Sequence, residues 1–317
     1  NNYNINKIYT YKGDCQIDDL VLRNGNPVPN VTYYNDELDP TSASNAVINA
    51  MNQGCFIFGH RDHGLSRNMS SAPEFDGWEH PPFNQNHIAD LTNQHMLPVM
   101  FSINCGTGWF DGGTDYDNLD PPGNGINEDC LGELLLNKED DGIVGFIGAS
   151  REGSSGYNDE LYKGLYDAIW PDCNPYNTQD VSPLYRLGDI KTYGLFFMNN
   201  QYIEGNSAIN YDPGVCPLSN AHSRRAFETF HVLGDPTLEI WTGVPQPLYA
   251  YVDYTQNTVT VYDDNDQIIP EAKVVLQHGT DYIVQMTDIN GHVISSLLNN
   301  NYDVEVSALK HNYIPWY

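Results

Sequence analysis

Basic side chains are the scarcest feature of this 317-residue chain. Lys and Arg together number 14, against 42 Asp and Glu, so the formal net charge is −28. A surface that binds nucleic acid needs clustered Lys and Arg to neutralise phosphates, so this balance argues against DNA or RNA as a partner. Such a negative charge favours solubility and attracts cations or basic peptides at long range.

Long apolar runs are also missing. A membrane-spanning helix needs about 18 consecutive apolar residues. No stretch of this sequence is close to that length, so no membrane span is expected. The chain begins Asn1-Asn2-Tyr3, with neither an initiator Met nor an apolar signal-peptide core. We therefore expect it to have been cut from a longer precursor. Frequent Tyr and Asn with few Lys favour a secreted or cell-surface protein.

Cysteines are few, and none are paired as C-x-x-C, which argues against a structural zinc site. Cys173 and Cys216 lie in stretches rich in Pro and Asn and are the pair we predict to form a disulfide. Cys55 begins an apolar run, and we interpret it as an inert packing residue. The six cysteines are Cys15, Cys55, Cys105, Cys130, Cys173 and Cys216.

Two short apolar runs each end in a reactive side chain followed by glycine. Cys105 closes the run 98–104, and His63 follows the run 55–59. In an open α/β sheet, ligands and chemistry collect at the carboxyl ends of the parallel strands. A thiol and an imidazole at the same sheet edge form a nucleophile and a general base. This pattern predicts a cysteine peptidase, although Cys105 taken alone fits a buried structural cysteine equally well.

The first three quarters of the chain alternate strand and helix patterns, which is typical of an α/β domain with a parallel sheet. The predicted domain covers residues 1–242. The run Gly142–Gly148 is apolar throughout, as expected of a central strand covered on both faces. Strands are predicted at 5–11, 31–35, 55–59, 98–105, 142–148 and 237–241, and helices at 43–51, 87–92, 130–137, 158–170, 183–201 and 224–232.

The pattern changes after a Pro-rich linker at 243–247. Short alternating strands follow, spaced by the about 8–12 residues that are typical of a β-sandwich. We predict a second, all-β domain over residues 247–317. Its strands are predicted at 249–254, 257–263, 271–277, 281–287, 291–297 and 302–308.

The order of these motifs resembles the gingipain family of caspase-fold cysteine peptidases. The family's strand, His-Gly turn, strand ending in the nucleophile and Gly-Asp-Pro closure are matched in that order. The resemblance implies a caspase-like, mostly parallel sheet flanked by helices, an Ig-like β-sandwich after it, and catalysis by a Cys-His dyad without a cofactor. The stretches that carry it are Val31–Met51, Phe56–Gly64, Leu97–Phe110, Ile147–Ser150, Phe227–Ile240 and Asn301–Pro315.

The family also has an upstream subdomain, which supplies an acidic residue that orients the catalytic His. Residues 1–30 do not match that part. We therefore expect either a separate N-terminal chain produced by proteolytic processing or a divergent, reduced member of the family.

The resemblance assigns the roles at the predicted centre. Cys105 is the nucleophile, His63 shuttles the proton, and the amides of Gly64 and Cys105 hold the oxyanion. We interpret His60, three positions before His63, as a residue with a structural hydrogen bond. Asp62 is not assigned as the orienting acid, because on a strand it would point away from His63.

The segment after the 142–148 strand lines the substrate groove in the family and pairs with the peptide backbone. An ordinary polar loop is the alternative. Trp109, shortly after Cys105, is predicted to form a wall of the pocket, with simple packing as its alternative. The predicted groove residues are Ser150, Ser154, Ser155 and Tyr157, with Arg151 in the same segment.

An acidic, Gly-rich stretch follows Phe110. Calcium binds several carboxylate and carbonyl oxygens on loops, so this stretch predicts a structural Ca²⁺ site. The spacing is not that of an EF-hand, and a solvated acidic loop is the alternative. The predicted ligands are Asp111, Asp115, Asp117 and Asp120.

Two functions from different classes follow. The first is a secreted cysteine endopeptidase that hydrolyses peptide or protein substrates. The alternative is a non-catalytic extracellular structural or adhesive protein that retains a caspase-like scaffold.

Overall fold

The structure is a computed structural model that describes residues 4–11, 31–35, 40–66, 76–111, 129–171, 182–203, 218–299 and 303–317. The chain divides into two compact units, Asn1–Ile240 and Trp241–Tyr317. This division falls just before the predicted linker. No helix in these ranges is long and apolar enough to cross a membrane.

The first unit mixes strands and helices. The order of its elements explains why residues far apart in sequence reach one sheet edge. In chain order they are β1 (Lys7–Tyr11), β2 (Val31–Asn35), α1 (Pro40–Asn52), β3 (Ile57–His60), β4 (Gly64–Leu65), β5 (Gly77–Trp78), β6 (Phe83–Asn84), β7 (Val99–Ser102), α2 (Leu131–Leu136), β8 (Gly145–Ala149), α3 (Ser155–Ile169), α4 (Leu187–Ile203), α5 (Leu218–Thr229) and β9 (Phe230–Gly234), with a 3₁₀ helix at Gln85–Asp90.

The central sheet has the strand order β3-β7-β8-β9. β3, β7 and β8 run parallel, and β9 is antiparallel to β8. β1 and β2 form a separate parallel pair, and β4, β5 and β6 form a small antiparallel sheet. The predicted α/β class with a mostly parallel sheet is confirmed.

Alternating side chains of the central strands supply two cores. Phe101 and Ile147 point to one face, where they pack with apolar residues of α3 and α4. Met100 and Phe146 point to the other face and pack with apolar residues of α1 and α2. Since successive strand residues alternate between faces, a strand covered on both sides is apolar throughout.

The second unit is built from strands that form two sheets. Their orders are β14-β11-β10-β16 and β13-β12-β15. Leu248 and Val259 of the first sheet share one buried core with Val274, Leu276 and Ala308 of the second. The strands are β10 (Gln246–Asp253), β11 (Thr258–Asp263), β12 (Lys273–His278), β13 (Asp281–Met286), β14 (His292–Ile294), β15 (Glu305–Leu309) and β16 (Tyr313–Ile314).

Two predicted elements near the end of the first unit are wrong. The helix predicted over 224–232 ends at Thr229, and Phe230–Gly234 is a strand, because this segment completes the central sheet beside β8. The strand predicted at 237–241 makes only an isolated bridge between Glu239 and Arg186. In the first case pairing with a distant strand overrides the local pattern, and in the second the segment pairs with no strand in the described part of the chain.

Candidate active site

Two neighbouring strands deliver the His-Gly and Cys segments to one sheet edge. β3 and β7 pair in parallel as far as His60 and Ser102. The segments that follow the two strands both leave the sheet at this same edge. A Cβ atom on Gly64 would collide with the carbonyl oxygen of Cys105 and lie 2.6 Å from Asn104 Oδ1. The backbone after His63 therefore lies directly against the backbone of Cys105.

Both reactive side chains reach the surface. Cys105 is a free, partly exposed thiol, and the backbone N–H of Gly153 lies 3.4 Å from its Sγ. The His63 side chain is 73% exposed. Burial raises the pKa of the Cys55 thiol to about 11 and also raises the pKa of the buried Cys130, so these two thiols are far less reactive. The predicted disulfide pair, Cys173 and Cys216, lies outside the described residues.

The carboxylate of Asp62 lies beside His63. Its Oδ1 accepts a hydrogen bond from the His63 backbone N–H at 2.8 Å and is 4.0 Å from the His63 Nε2. The expectation that Asp62 points away is wrong, because β3 ends at His60 and strand alternation no longer applies. At 4.0 Å the carboxylate and the ring are not hydrogen-bonded, since a hydrogen bond would be shorter.

Two backbone amides at this edge take no part in strand pairing. The Glu79 N–H donates to the His63 carbonyl, which makes Gly64 and Trp78 a non-hydrogen-bonded pair of the β4–β5 ladder. The N–H of Gly64 is therefore directed away from β5. The N–H of Cys105 has no acceptor within the described part of the chain. These are the two amides that the sequence analysis assigns to the oxyanion.

His60 is a buried, neutral imidazole behind this edge. Its ring is stacked 4.1 Å from the ring of Trp78, and its Nε2 donates to the His80 carbonyl at 3.1 Å. Its Nδ1 accepts from the amide of Asn104 at 2.7 Å. The contacts agree with the structural role that the sequence analysis gives to His60. The sequence analysis missed Asn104, whose one signal is a polar residue inside an apolar run.

Acid is expected to destabilise the protein through His60. Burial lowers the pKa of His60 from 6.5 to about 4. Between these two pH values the imidazole is protonated in the unfolded chain and neutral in the folded protein. Stability should therefore fall as the pH drops from 6.5 towards 4, by up to about 3 kcal/mol. Urea denaturation across this range should show that His60→Gln has a weaker pH dependence than wild type, whereas the exposed-site variant His95→Gln keeps it. If the free energy of unfolding of His60→Gln depends on pH as strongly as that of wild type, another group causes the loss of stability in acid.

The predicted groove segment after β8 makes mostly internal contacts. Ser150 is buried, and its N–H donates to the Thr229 carbonyl at 2.8 Å. Tyr157 is buried and stacks on Tyr202 with ring centroids 3.7 Å apart. A direct role in substrate binding does not fit the burial of Ser150 and Tyr157. In this segment Gly153 is the residue whose backbone meets the Cys105 sulfur.

Ser154 and Ser155 stand at the start of α3. The Ser154 hydroxyl lies 2.6 Å from His222 Nδ1. The carbonyl and hydroxyl of Ser155 accept from the Arg61 guanidinium at 2.7 and 2.9 Å. Their contact with substrate stays a prediction.

Trp109, Arg151 and Asp111 form one cluster, in which Trp109 and Arg151 are buried and Asp111 is partly exposed. The Arg151 guanidinium donates two hydrogen bonds to the Asp111 carboxylate, at 2.9 and 2.7 Å, and lies 4.5 Å above the Trp109 ring. Trp109 is only 2% exposed, so it supports Arg151 and does not form the wall of an open pocket. The sequence analysis missed this cluster, because nothing local links residues 40 positions apart.

The same contact changes the predicted calcium site. Asp111 is held by Arg151, and a carboxylate paired in this way is a poor metal ligand, so we correct its assignment. Asp115, Asp117 and Asp120 lie outside the described residues. Within the described ranges, no group of three His, Cys, Asp or Glu is placed to hold a metal ion. A calcium site formed by the remaining three carboxylates stays a prediction.

Removing the Asp111 carboxylate is expected to destabilise the fold. Asp111→Ala would remove the carboxylate that pairs with the nearly buried guanidinium of Arg151, at a cost of about 2 kcal/mol, because two hydrogen bonds to this charge are lost. The matched control is Glu228→Ala, which removes an exposed partner of Arg224 and should change the free energy of unfolding by less than about 1 kcal/mol. Chemical denaturation measures both. Equal, small effects of the two substitutions would show that the Asp111–Arg151 pair contributes no more to the free energy of unfolding than a surface pair does.

The architecture and the sheet-edge geometry agree with a known peptidase family. The model of peptidase family C25 matches residues 1–241. The chain belongs to this family. Gingipain R2 of Porphyromonas gingivalis (strain ATCC BAA-308 / W83) is 21% identical in an alignment 266 residues long, and the match covers 75% of this chain and 29% of that protein. The match to the family begins at residue 1, whereas the motifs quoted from the sequence begin at Val31.

Solved structures share the fold of this C25 chain. A crystal structure of the Arg-specific cysteine proteinase gingipain R superimposes with a TM-score of 0.64 at 16% identity, covering 98% of this chain and 64% of the other. A complex of the pro- and mature domains of Porphyromonas gingivalis RgpB gives a TM-score of 0.63 at 16% identity, covering 98% and 66%. The chain thus spans 29% of the curated relative and about two thirds of these crystallised chains.

Proposed function

We propose that this chain is a cysteine endopeptidase with Cys105 as nucleophile and His63 as general base and acid. The observation that carries the proposal is the backbone contact between Gly64 and Cys105, at the shared edge of β3 and β7. It supports the proposal because the exposed imidazole of His63 and the partly exposed thiol of Cys105 follow neighbouring strands in a chain of peptidase family C25. Of the other free thiols in the described ranges, Cys130 is buried, and burial raises the pKa of the Cys55 thiol to about 11.

The proposed reaction follows the acyl-transfer sequence of a thiol peptidase. His63 takes the proton of the Cys105 thiol, and the sulfur forms a bond to the carbonyl carbon of the substrate. The negative charge that develops on the carbonyl oxygen is stabilised by the N–H groups of Gly64 and Cys105. The carbon–nitrogen bond then breaks, and the amine leaves with the proton from His63. Water, deprotonated by His63, hydrolyses the thioester and restores the thiol. These steps need no cofactor.

The substrate is proposed to be an extended peptide or protein segment. The backbone around Gly153, which already meets the Cys105 sulfur, would pair with the peptide, and Ser154 and Ser155 would flank it. The burial of Trp109 and Tyr157 leaves this segment to contribute mainly backbone groups and small polar side chains.

The wider organisation is proposed from the relatives. A secreted or cell-surface location and a caspase-like arrangement of the sheet are proposed for the first unit. An Ig-like classification is proposed for the two-sheet unit, which would serve as a stabilising or spacing module. The solved complex of separate pro- and mature domains in a relative supports the proposal that a processed N-terminal chain accompanies this one.

An active-site probe tests the proposed function. A panel of peptidyl acyloxymethyl ketones that differ in the residue before the reactive group is incubated with the folded protein. The proposal predicts labelling of Cys105 by at least one member, and loss of that labelling in Cys105→Ala and His63→Ala. Absence of labelling of a folded wild-type protein by the whole panel would favour the non-catalytic scaffold.

A further inference from the structure

We propose that His60 and Asn104 form a buried clamp that positions Cys105 and Gly64 for the reaction; this inference rests on the proposed function. Neither residue reaches the substrate side of the sheet edge, since Asn104 is 0% and His60 is 7% exposed. They are therefore positioning residues, and the catalytic groups remain Cys105 and His63.

The Asn104 side chain is fixed by hydrogen bonds on both ends of its amide. Its nitrogen donates to His60 Nδ1 at 2.7 Å and to Ser102 Oγ at 2.9 Å. Its oxygen accepts from Thr107 Oγ1 at 2.7 Å. Both amide hydrogens have acceptors, so rotating the amide by half a turn would set its oxygen against the lone pair of His60 Nδ1, acceptor against acceptor, and leave buried groups unsatisfied.

His60 is locked in one tautomer by its two neighbours. The His80 carbonyl can only accept, so His60 Nε2 carries the proton and Nδ1 presents a lone pair to Asn104. The imidazole stacks on Trp78, and the indole N–H of Trp78 donates to Ser102 Oγ at 2.8 Å. The network thus joins the end of β3, the end of β7 and the strand that pairs with Gly64.

The position of Asn104 links this network to the reacting groups. Asn104 shares a peptide bond with Cys105, and its Oδ1 lies against the Cα of Gly64. A shift of the amide therefore moves the Cys105 N–H and the Gly64 N–H relative to the sulfur. Displacements of about 1 Å around a reacting centre lower rates about 100-fold.

The chain offers a matched control at the opposite end of the same strands. Asn93 is also 0% exposed, and its amide bonds the carbonyls of Met96 and Gly142 and the N–H of Gly142. These contacts lie before the starts of β7 and β8, whereas Asn104 lies after the end of β7. The two asparagines share their burial and number of bonds and differ in proximity to Cys105.

The test compares Asn104→Ala with Asn93→Ala, using the peptidyl ketone that labels wild type and a peptide substrate with the same residues. We expect both variants to lose thermal stability. Asn104→Ala should lower kcat and the maximal labelling rate about 100-fold with KM nearly unchanged, because the transition-state geometry is lost while binding is retained. Asn93→Ala should keep the kcat of wild type at a temperature where it is folded.

A second pair of variants keeps the test decisive if Asn104→Ala does not fold. His60→Asn places an amide oxygen near the former Nδ1 and so retains an acceptor for Asn104. His60→Gln places its amide nitrogen near the former Nε2, where it can donate to the His80 carbonyl, but it leaves Asn104 without that acceptor. If the clamp positions Cys105, kcat should be higher for His60→Asn than for His60→Gln, because only the former keeps an acceptor for the Asn104 amide. Equal kcat losses in the two asparagine variants, or the reverse order of the two His60 variants, would overturn the clamp. If wild type is not labelled at all, the proposed function fails instead; if labelling depends on Cys105 but not on Asn104, only the clamp fails.

Discussion

Replacing Cys105 by Ala is expected to reduce peptide hydrolysis by about 10³-fold or more, and His63→Ala should have an effect of similar size. The two groups act as a unit: without the sulfur no thioester forms, and without the imidazole the thiol keeps its proton. Losing either member of such a pair costs nearly as much as losing both. Steady-state hydrolysis of a peptide that matches the labelling probe measures the loss.

Residues of the same types elsewhere in the chain provide the controls. Cys55→Ala removes a thiol whose pKa is raised by burial, and His95→Ala removes an exposed imidazole outside the site. Both variants should hydrolyse the peptide at nearly the wild-type rate. Full activity in Cys105→Ala or His63→Ala, with folding unchanged, would contradict the assignment of the pair.

Gly64→Ala is expected to lower kcat about 100-fold while the protein remains folded. The added methyl group would collide with the Cys105 carbonyl oxygen and with Asn104, so the two strand ends must separate. Separation moves apart the sulfur, the imidazole and the two amides proposed to hold the oxyanion, and a shift of about 1 Å is enough for a loss of this size. Initial-rate kinetics with circular dichroism as a check on folding would measure it.

Gly243→Ala is the control for a glycine with space around it. A Cβ at Gly243 would meet its nearest neighbour, Asn312, at 3.5 Å, which is an ordinary contact. We expect wild-type kinetics from this variant. If Gly64→Ala also has wild-type kinetics, the close approach of Gly64 to Cys105 has no bearing on catalysis.

The sheet edge that holds the candidate site could be predicted from the sequence because strand ends carry a local signature. An apolar run such as 98–104, followed by a polar or reactive residue and a glycine, marks where a buried strand leaves the sheet. Parallel pairing of β3 and β7 then brings Cys105 and Gly64 together, since both strands finish at the same edge. The mostly parallel sheet followed from the same alternation of strands and helices.

The contacts that surround the site could not be predicted in the same way. Asp111 and Arg151 meet across 40 positions, and each looks like an ordinary surface charge in its own segment. Their pairing joins a nearly buried guanidinium to a partly exposed carboxylate and removes Asp111 from the predicted calcium ligands. Asn104 and His60 are likewise 44 positions apart in the sequence, and their hydrogen bond becomes evident only in the folded structure. Residues 230–232 have a helical pattern in the sequence but belong to strand β9, because pairing with β8 outweighs that pattern.

The most direct test of the pair is the rate at which iodoacetamide alkylates each free cysteine of the folded protein at neutral pH, resolved by mass spectrometry. The account predicts that Cys105 reacts before Cys55 and Cys130, and that His63→Ala slows its alkylation about 10-fold or more, because a neighbouring imidazole favours the reactive thiolate. Alkylation of Cys105 at the same rate with and without the His63 imidazole would contradict it.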